Sequence, residues 1–296
     1  MITRHNEPLA KYSSFRTGGK AANIIFPEST EEFVTALREN PGAAVLGNLS
    51  NTLVLDGGID GTVIITTKLN SVSVNGNTVT AAAGASLTSV AVAARDASLA
   101  GCEFLYGIPG TVGGGVFMNA GAYGGEIADI IENAVVFTPD GKVTTLSKDD
   151  LDLGYRTSKL QSTRYILLSA AFSLQSGNKE VISSAMDDLM NRRMTTQPLD
   201  KPSCGSTFKR PAGNFAGKLI SDCGLKGMSV GGAQVSEKHA GFIVNSGGAT
   251  SRDILDLVQL VKKTVFEKTG VFVFGENNCR IFRTGSKLLF PPLYAP

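Results

Sequence analysis

The sequence predicts an α+β protein built from two or three compact units. Strand-like runs outnumber helical ones, and most of them come as hairpins rather than as regular β-α-β units. The 296 residues, 42 % apolar and 18 % charged, are enough for more than one core and leave little room for disorder. No segment repeats another.

The elements follow in order. "AANIIFPES" reads as a strand. "STEEFVTALREN" is a helix with a Ser29/Thr30 cap, an acidic first turn, and Phe33, Ala36 and Leu37 on one face. "AAVLG" and "GTVIITT" are β-branched runs cut by glycine. "SVSVNGNTVTAAAG" is a hairpin whose Asn75-Gly76 pair signals a type I′ turn. "SLTSVAVAARDASLAG" is an amphipathic helix expected to close at Gly101. "AVVFTPDGKVTTLS" is a second hairpin, turning near Asp140-Gly141, and "RYILLSAAFSLQ" is another strand. "NKEVISSAMDDLMNRRM" is a helix, and "TTQPLDKPSCGS" reads as a linker, which puts a domain break near residues 195–203. Beyond it come "AGKLISDCGL" (short helix), "GAQVSEKHAGFIVN" (strand pair), "SRDILDLVQLVKKTVFEKTG" (long helix ended by Gly270) and "VFVFGENNCRIFR" (strand).

Composition excludes several function classes. A formal charge of +2, evenly spread, offers nucleic acid no basic face. Cys102, Cys204, Cys223 and Cys279 lie far apart without a C-x-x-C pair, so neither a zinc site nor a disulfide framework is expected. "MITRHNEPLAKYSSF" has no apolar signal-like core, and no stretch approaches 18 apolar residues, so a soluble cytoplasmic protein is expected.

The chemistry concentrates in "GIPGTVGGGVFMNAGAYGGE", Gly107 to Glu126. Eight of its twenty residues are glycine, yet Val112, Val116, Phe117 and Met118 keep it apolar, unlike a flexible linker. It is either a surface loop of several turns or a segment whose bare backbone approaches a ligand, with N–H groups converging on an anion. The apolar residues favour the second reading. Neither G-x-x-x-x-G-K-[ST] nor a strand–G-x-G-x-x-G–helix arrangement is present.

This run resembles the signature G-I-P-G-[TS]-V-G-G-x-x-x-M-N-A-G-A-Y-G of the UDP-N-acetylenolpyruvoylglucosamine reductases. Four more blocks agree in order: "SSFRTGGKA", "GNLSNTLVLDGGIDGTVI", "YRTS", and "QPLDKPSCGSTFKRPAGNFAGKLISDCGLKGMSVGGAQVSEKHAGFIVN". The resemblance spans residues 13 to about 282 and is closer to the shorter class of the family, which lacks a substrate-closing tyrosine loop. It implies an FAD-binding fold of the vanillyl-alcohol-oxidase type. Two small α+β subdomains would cover 1–68 (with 271–296 returning to it) and 69–197, and an α+β substrate domain 198–270. It implies non-covalent FAD, NADPH as co-substrate and a UDP-sugar substrate, with no nucleic acid or membrane partner and a monomer or weak oligomer. The reaction implied is reduction of an enolpyruvyl ether in peptidoglycan precursor synthesis.

The resemblance assigns Gly47, Asn48, Leu49, Ser50, Asn51 and Thr52 to one FAD cradle. Gly107, Pro109, Gly110, Thr111, Gly113, Gly114, Asn119, Ala120 and Gly121 form the other. Arg156 is the implied catalytic arginine, Ser206 the proton donor, and Glu276 a second acidic partner. Tyr123, Lys209, Arg210, Lys218 and Gln234 are substrate-side candidates, with Lys209 or Lys218 placed to stabilise a Ser206 alkoxide. His239 is read as structural.

Two positions depart from the family pattern. Leu49 replaces the second glycine of G-x-G-S-N, which costs on the order of 1 kcal/mol or more if φ is positive there. In the C-terminal motif the arginine falls two residues late, at Arg280. The alternatives are another flavin enzyme of the same fold and a non-catalytic relative.

Overall fold

The structure, a computed structural model, describes residues 1–273 and 280–282. It has three sheet-based parts. In the first, Ile2–Pro8 pairs antiparallel with Lys20–Phe26, which runs parallel to Ile59–Ile65, itself parallel to Ala44–Leu46. The helix Thr30–Glu39 crosses between two of these parallel strands, so this part holds a small β-α-β unit. Ser29 caps the helix by accepting from the Glu32 amide, and Phe33, Ala36 and Leu37 are its buried residues.

The second part is a five-stranded antiparallel sheet in the order Val143–Ser147, Ile131–Phe137, Ile166–Ser173, Thr78–Ala82, Val72–Asn75. The helices Leu87–Asp96 and Lys179–Thr196 bury Val90, Ala91, Ala94, Ile182 and Met186 in the same core as its Val79, Ala134, Val136 and Phe172. Two local expectations are corrected here. Asn75 pairs with Thr78, so the hairpin turn centres on Gly76-Asn77, with positive φ only at Gly76; that is the type II′ pattern, not I′. The helix Leu87–Asp96 closes at Ser98 (φ 57) rather than Gly101. The Ser98 carbonyl accepts from the Gly177 amide, which holds the left-handed turn and lets Leu99–Ala100 pair with Gln175–Ser176.

The third part is an antiparallel sheet ordered Ser203–Ser206, Phe242–Asn245, Ala233–Val235, Ser229–Val230. The helices Ala216–Asp222 and Ser251–Thr269 share its core, which includes Ile220, Val235, Ile243, Leu257 and Val261. The connection into it is shorter than the sequence suggests, because the preceding helix runs to Thr196 and "SCGS" is a strand. Phe15 and Leu53, from the first part, are buried in this same core. The strand Arg280–Phe282 pairs parallel with Thr52–Val54. Among the described residues no helix is long and apolar enough to cross a membrane.

Candidate functional site

The two glycine-containing loops meet. A Cβ on Gly47 would stand 2.3 Å from Thr111 Oγ1, so only glycine lets the loops touch. Thr111 is buried and accepts from the Gly114 amide, capping the short helix Val112–Phe117. The amides of Asn48, Leu49 and Ser50 find no acceptor among the described residues. Those free donors suit a phosphate-bearing ligand, so the residues present fit FAD.

Leu49 does take the left-handed conformation, with φ 52, where the family has glycine. Its side chain is only 2 % exposed and packs with Leu9, Ile24, Leu46, Val54 and Val63. Backbone strain and side-chain burial therefore act on one residue in opposite directions.

Arg156 closes the far side of the glycine run. Its Nη1 donates to the Asn119 carbonyl (3.1 Å) and its Nη2 to that of Gly121 (2.8 Å). The grip is reciprocal, since Asn119 Nδ2 donates to the carbonyl of Gly154, two residues before Arg156 (3.0 Å). Asn119 Oδ1 accepts from the Ala128 amide, so this fully buried side chain is used within the protein and holds the loop rather than offering itself to a ligand. Gln161 belongs to no motif in the sequence, and Ser158 is the last residue of "YRTS". Gln161 Nε2 donates to the carbonyls of Phe117 and Arg156, and Ser158 Oγ to that of Phe117. The only signal of Gln161 is its place three residues after "YRTS". Arg156, Asn119 and Tyr123 all have positive φ, at 57°, 41° and 54°. Three non-glycine residues in that region at one site is a concentration of strain typical of functional loops.

Lys209 approaches from the third part of the chain. Its ammonium is pushed below the usual lysine value, first by burial and then by the charge of Arg156. Neither cation has a carboxylate partner among the described residues. Two positive charges close enough to interact, neither with a carboxylate partner among the described residues, suit an anion. Ser206 is exposed at the end of its strand, across from Phe242 and next to Gly205 (φ 70).

The remaining candidates are engaged elsewhere. Lys218 pairs with Asp222 at 2.6 Å on an exposed helix face. Gln234 donates to the Gly227 carbonyl and accepts from Lys201 and Ser246. It lies across from Val244, at the Ser203 end of the sheet rather than the Ser206 end. Arg210 stacks over the exposed Phe215 ring, 4.4 Å from its centroid. His239 is structural: Nδ1 accepts from the Gly241 amide, and the ring packs edge-on to Phe242. Glu276 lies outside the described residues. Among the described residues no group of His, Cys, Asp and Glu is arranged for a metal.

The seam between the first and third parts runs directly behind this site. Cys204, two residues before Ser206, is buried and donates its thiol to the carbonyls of Leu49 (3.5 Å) and Thr52 (3.3 Å). Asn245 Nδ2 donates to the Phe15 carbonyl.

Comparison with known proteins adds identity to this geometry. Residues 21–147 match a family model described as an FAD binding domain. Residues 197–279 match that of the UDP-N-acetylenolpyruvoylglucosamine reductase C-terminal domain. The chain is 51 % identical over 272 residues to the UDP-N-acetylenolpyruvoylglucosamine reductase of Limosilactobacillus reuteri, covering 90 % of this chain and 91 % of that one. It is 48 % identical over 296 residues to the protein of that description from Streptococcus pneumoniae, covering 99 % and 92 %. Its fold superposes on the crystal structure of the Thermus caldophilus UDP-N-acetylenolpyruvylglucosamine reductase with a TM-score of 0.83 at 35 % identity, over 95 % of this chain and 100 % of that one.

Proposed function

The chain belongs to the UDP-N-acetylenolpyruvoylglucosamine reductase family, and on that footing we propose that it is an FAD-dependent, NADPH-using enzyme of peptidoglycan precursor synthesis. It reduces the enolpyruvyl group of UDP-N-acetylglucosamine enolpyruvate to the lactyl ether of UDP-N-acetylmuramate. The loops 47–52 and 107–121 would hold FAD non-covalently, and the bound cofactor would supply a hydride carrier between NADPH and the substrate.

The residues do the rest. Hydride addition to one carbon of the double bond leaves negative charge on the other, spread into the adjacent carboxylate. Arg156 holds that carboxylate: two N–H groups already anchor it to Asn119 and Gly121, and a guanidinium with five donors keeps others for the ligand. Lys209 adds the second positive charge. Ser206 delivers the proton to the carbanion carbon, and Lys209 rather than the paired Lys218 is the cation available to stabilise its alkoxide. Glu276 is kept as a second acidic partner. Tyr123 faces the substrate. Arg210 stays a candidate for the diphosphate or uridine, whereas the bonds Gln234 already makes argue against that role for it. The sheets support reading 1–68 and 69–197 as the FAD-holding parts and 198–270 as the substrate domain, in a fold of the vanillyl-alcohol-oxidase type. We take the protein to be cytoplasmic and a monomer or weak oligomer.

The observation that carries this reading is the Arg156 clamp on the carbonyls of Asn119 and Gly121, with the unpaired Lys209 near enough to feel its charge. The test is NADPH oxidation with and without UDP-N-acetylglucosamine enolpyruvate. Oxidation that depends on the enolpyruvyl sugar and yields its lactyl ether is expected. Oxidation at the same rate without the sugar, with O₂ consumed, would make the protein a flavin oxidase instead.

A further inference from the structure

Arg193 is a buried cation that the reaction described so far leaves unused. It sits in the last turn of the helix Lys179–Thr196 and is 5 % exposed. Nη1 donates to Gln197 Oε1 at 3.3 Å, whereas Nε and Nη2 are buried with no acceptor. No acidic side chain pairs with it among the described residues; burial depresses its pKa, and Tyr123 alone opposes that. A guanidinium stays charged in such a place, and burying it without a counter-ion costs several kcal/mol.

Its surroundings say where the missing negative charge arrives. The guanidinium carbon lies 5.5 Å from the centre of the Tyr123 ring. A Cβ at Gly107 would come within 3.3 Å of Nε and 2.9 Å of Met190 Sδ, so the absent side chain there makes room for the arginine. Gly107 opens the glycine run and Tyr123 lies near its end, and Arg156 holds the Asn119 and Gly121 carbonyls between them. The ring face offsets part of the burial cost but supplies no acceptor for the two N–H groups.

We propose that Arg193 receives the negative charge that bound FAD acquires on reduction, an inference that rests on the reading that this loop cradles FAD. A hydride carries two electrons and one proton. An uncharged isoalloxazine that accepts one therefore gains a single negative charge, delocalised onto the ring nitrogen and carbonyl oxygen of its pyrimidine edge. That edge presents two adjacent acceptors in one plane. Nε–H and Nη2–H form the planar fork of a guanidinium that matches such a pair, and these are the two groups left without partners. Arg193 thereby favours the reduced cofactor and the arrival of the hydride.

The experiment measures the midpoint potential of the FAD-loaded wild type, Arg193→Gln and Arg193→Lys by equilibration with reference dyes. It also measures FAD affinity for each apoprotein and the affinities of the oxidised proteins for NADP⁺ and the UDP-sugar. Arg193→Gln is expected to disfavour the reduced flavin about tenfold, a shift of about 30 mV to more negative potential for a two-electron couple. Arg193→Lys, which keeps the charge and loses the fork, should fall between; if the glutamine variant does not fold, an unshifted potential in the lysine variant overturns the proposal. An unchanged potential with weakened NADP⁺ or UDP-sugar binding also overturns it and assigns the charge to a diphosphate. A wild-type chain that takes up no FAD would remove the functional reading as well, whereas FAD-loaded variants with unmoved potentials remove only the role of Arg193.

Discussion

The Asp56 carboxylate and Ser251 bond each other from both sides. The Ser251 amide donates to both carboxylate oxygens at 3.0 Å, its hydroxyl donates to one at 2.8 Å, and the Asp56 amide donates back to that hydroxyl at 2.9 Å. Asp56 thus places a negative charge at the N-terminus of the helix Ser251–Thr269, already capped by Thr250, from a different part of the chain. Asp56→Ala should lower stability by about 1–2 kcal/mol, the range for charged hydrogen bonds discounted for the exposure of Asp56. Asp56→Asn, which keeps one acceptor, should cost less. Urea unfolding midpoints compare the three, and an unchanged midpoint for the alanine variant would mean that the contact contributes nothing.

At Leu49 two magnitudes compete. A left-handed leucine costs about 1–2 kcal/mol relative to glycine, whereas removing a fully buried leucine side chain costs about 2–5 kcal/mol. Burial wins, so Leu49→Gly should destabilise the protein and weaken FAD binding despite matching the family pattern. Thermal unfolding and FAD titration of the apoprotein measure both effects. A more stable variant with tighter FAD binding would show that strain dominates.

His239 gives the acid side of the stability profile a specific contributor. Burial holds its pKa below the ordinary 6.5. Between that lowered value and 6.5 the unfolded chain binds more protons than the folded one, so stability falls as pH drops through this window. His239→Asn retains an acceptor near the Gly241 amide and has no such titration. Between pH 7.5 and pH 5 the wild type should lose more unfolding temperature than the variant. Equal losses would place the acid sensitivity elsewhere.

The two half-reactions separate the role of Ser206. Hydride transfer from NADPH to flavin needs no hydroxyl proton, so Ser206→Ala should leave flavin bleaching within a few-fold of normal. Reoxidation by the enolpyruvyl sugar should slow by about 10²-fold or more, the range for losing a positioned acid. Stopped-flow absorbance resolves both steps. If both slow equally, Ser206 organises the loop. If neither slows, the proton comes from another group, Glu276 first.

What the sequence revealed depended on how far each feature reaches along the chain. The helix Thr30–Glu39, the two hairpins and the Gly270 stop are local, and their caps, periodicity and turns lie within a few residues of one another. The turn type at Gly76-Asn77 was misread because Asn-Gly chemistry favours one register and strand pairing selected the next. The block "FRTGG" shows the limit of a motif read alone. A Cβ on Gly19 would lie 2.1 Å from the Asp56 carbonyl, so this glycine is there for packing against the Asp56 turn. Arg193 and Gln161 were illegible for the same reason: "NRRM" looks like any surface helix end. Only the folded chain brings Arg193 against Tyr123, 70 positions upstream, or Gln161 against Phe117, 44 positions away.

The pairing of Arg280–Phe282 with Thr52–Val54 bears on how the protein is made. The ribosome delivers Thr52–Val54 early, and the strand that pairs with it emerges only after more than two hundred further residues. At about 5–20 residues per second that interval is roughly 10–50 s. During it the nascent chain carries an unpaired strand edge next to the loop 47–52, and Asp56 waits almost as long for Ser251. The half-made molecule is therefore the form of this protein with that strand edge open, the kind of species on which chaperones act and from which aggregation begins.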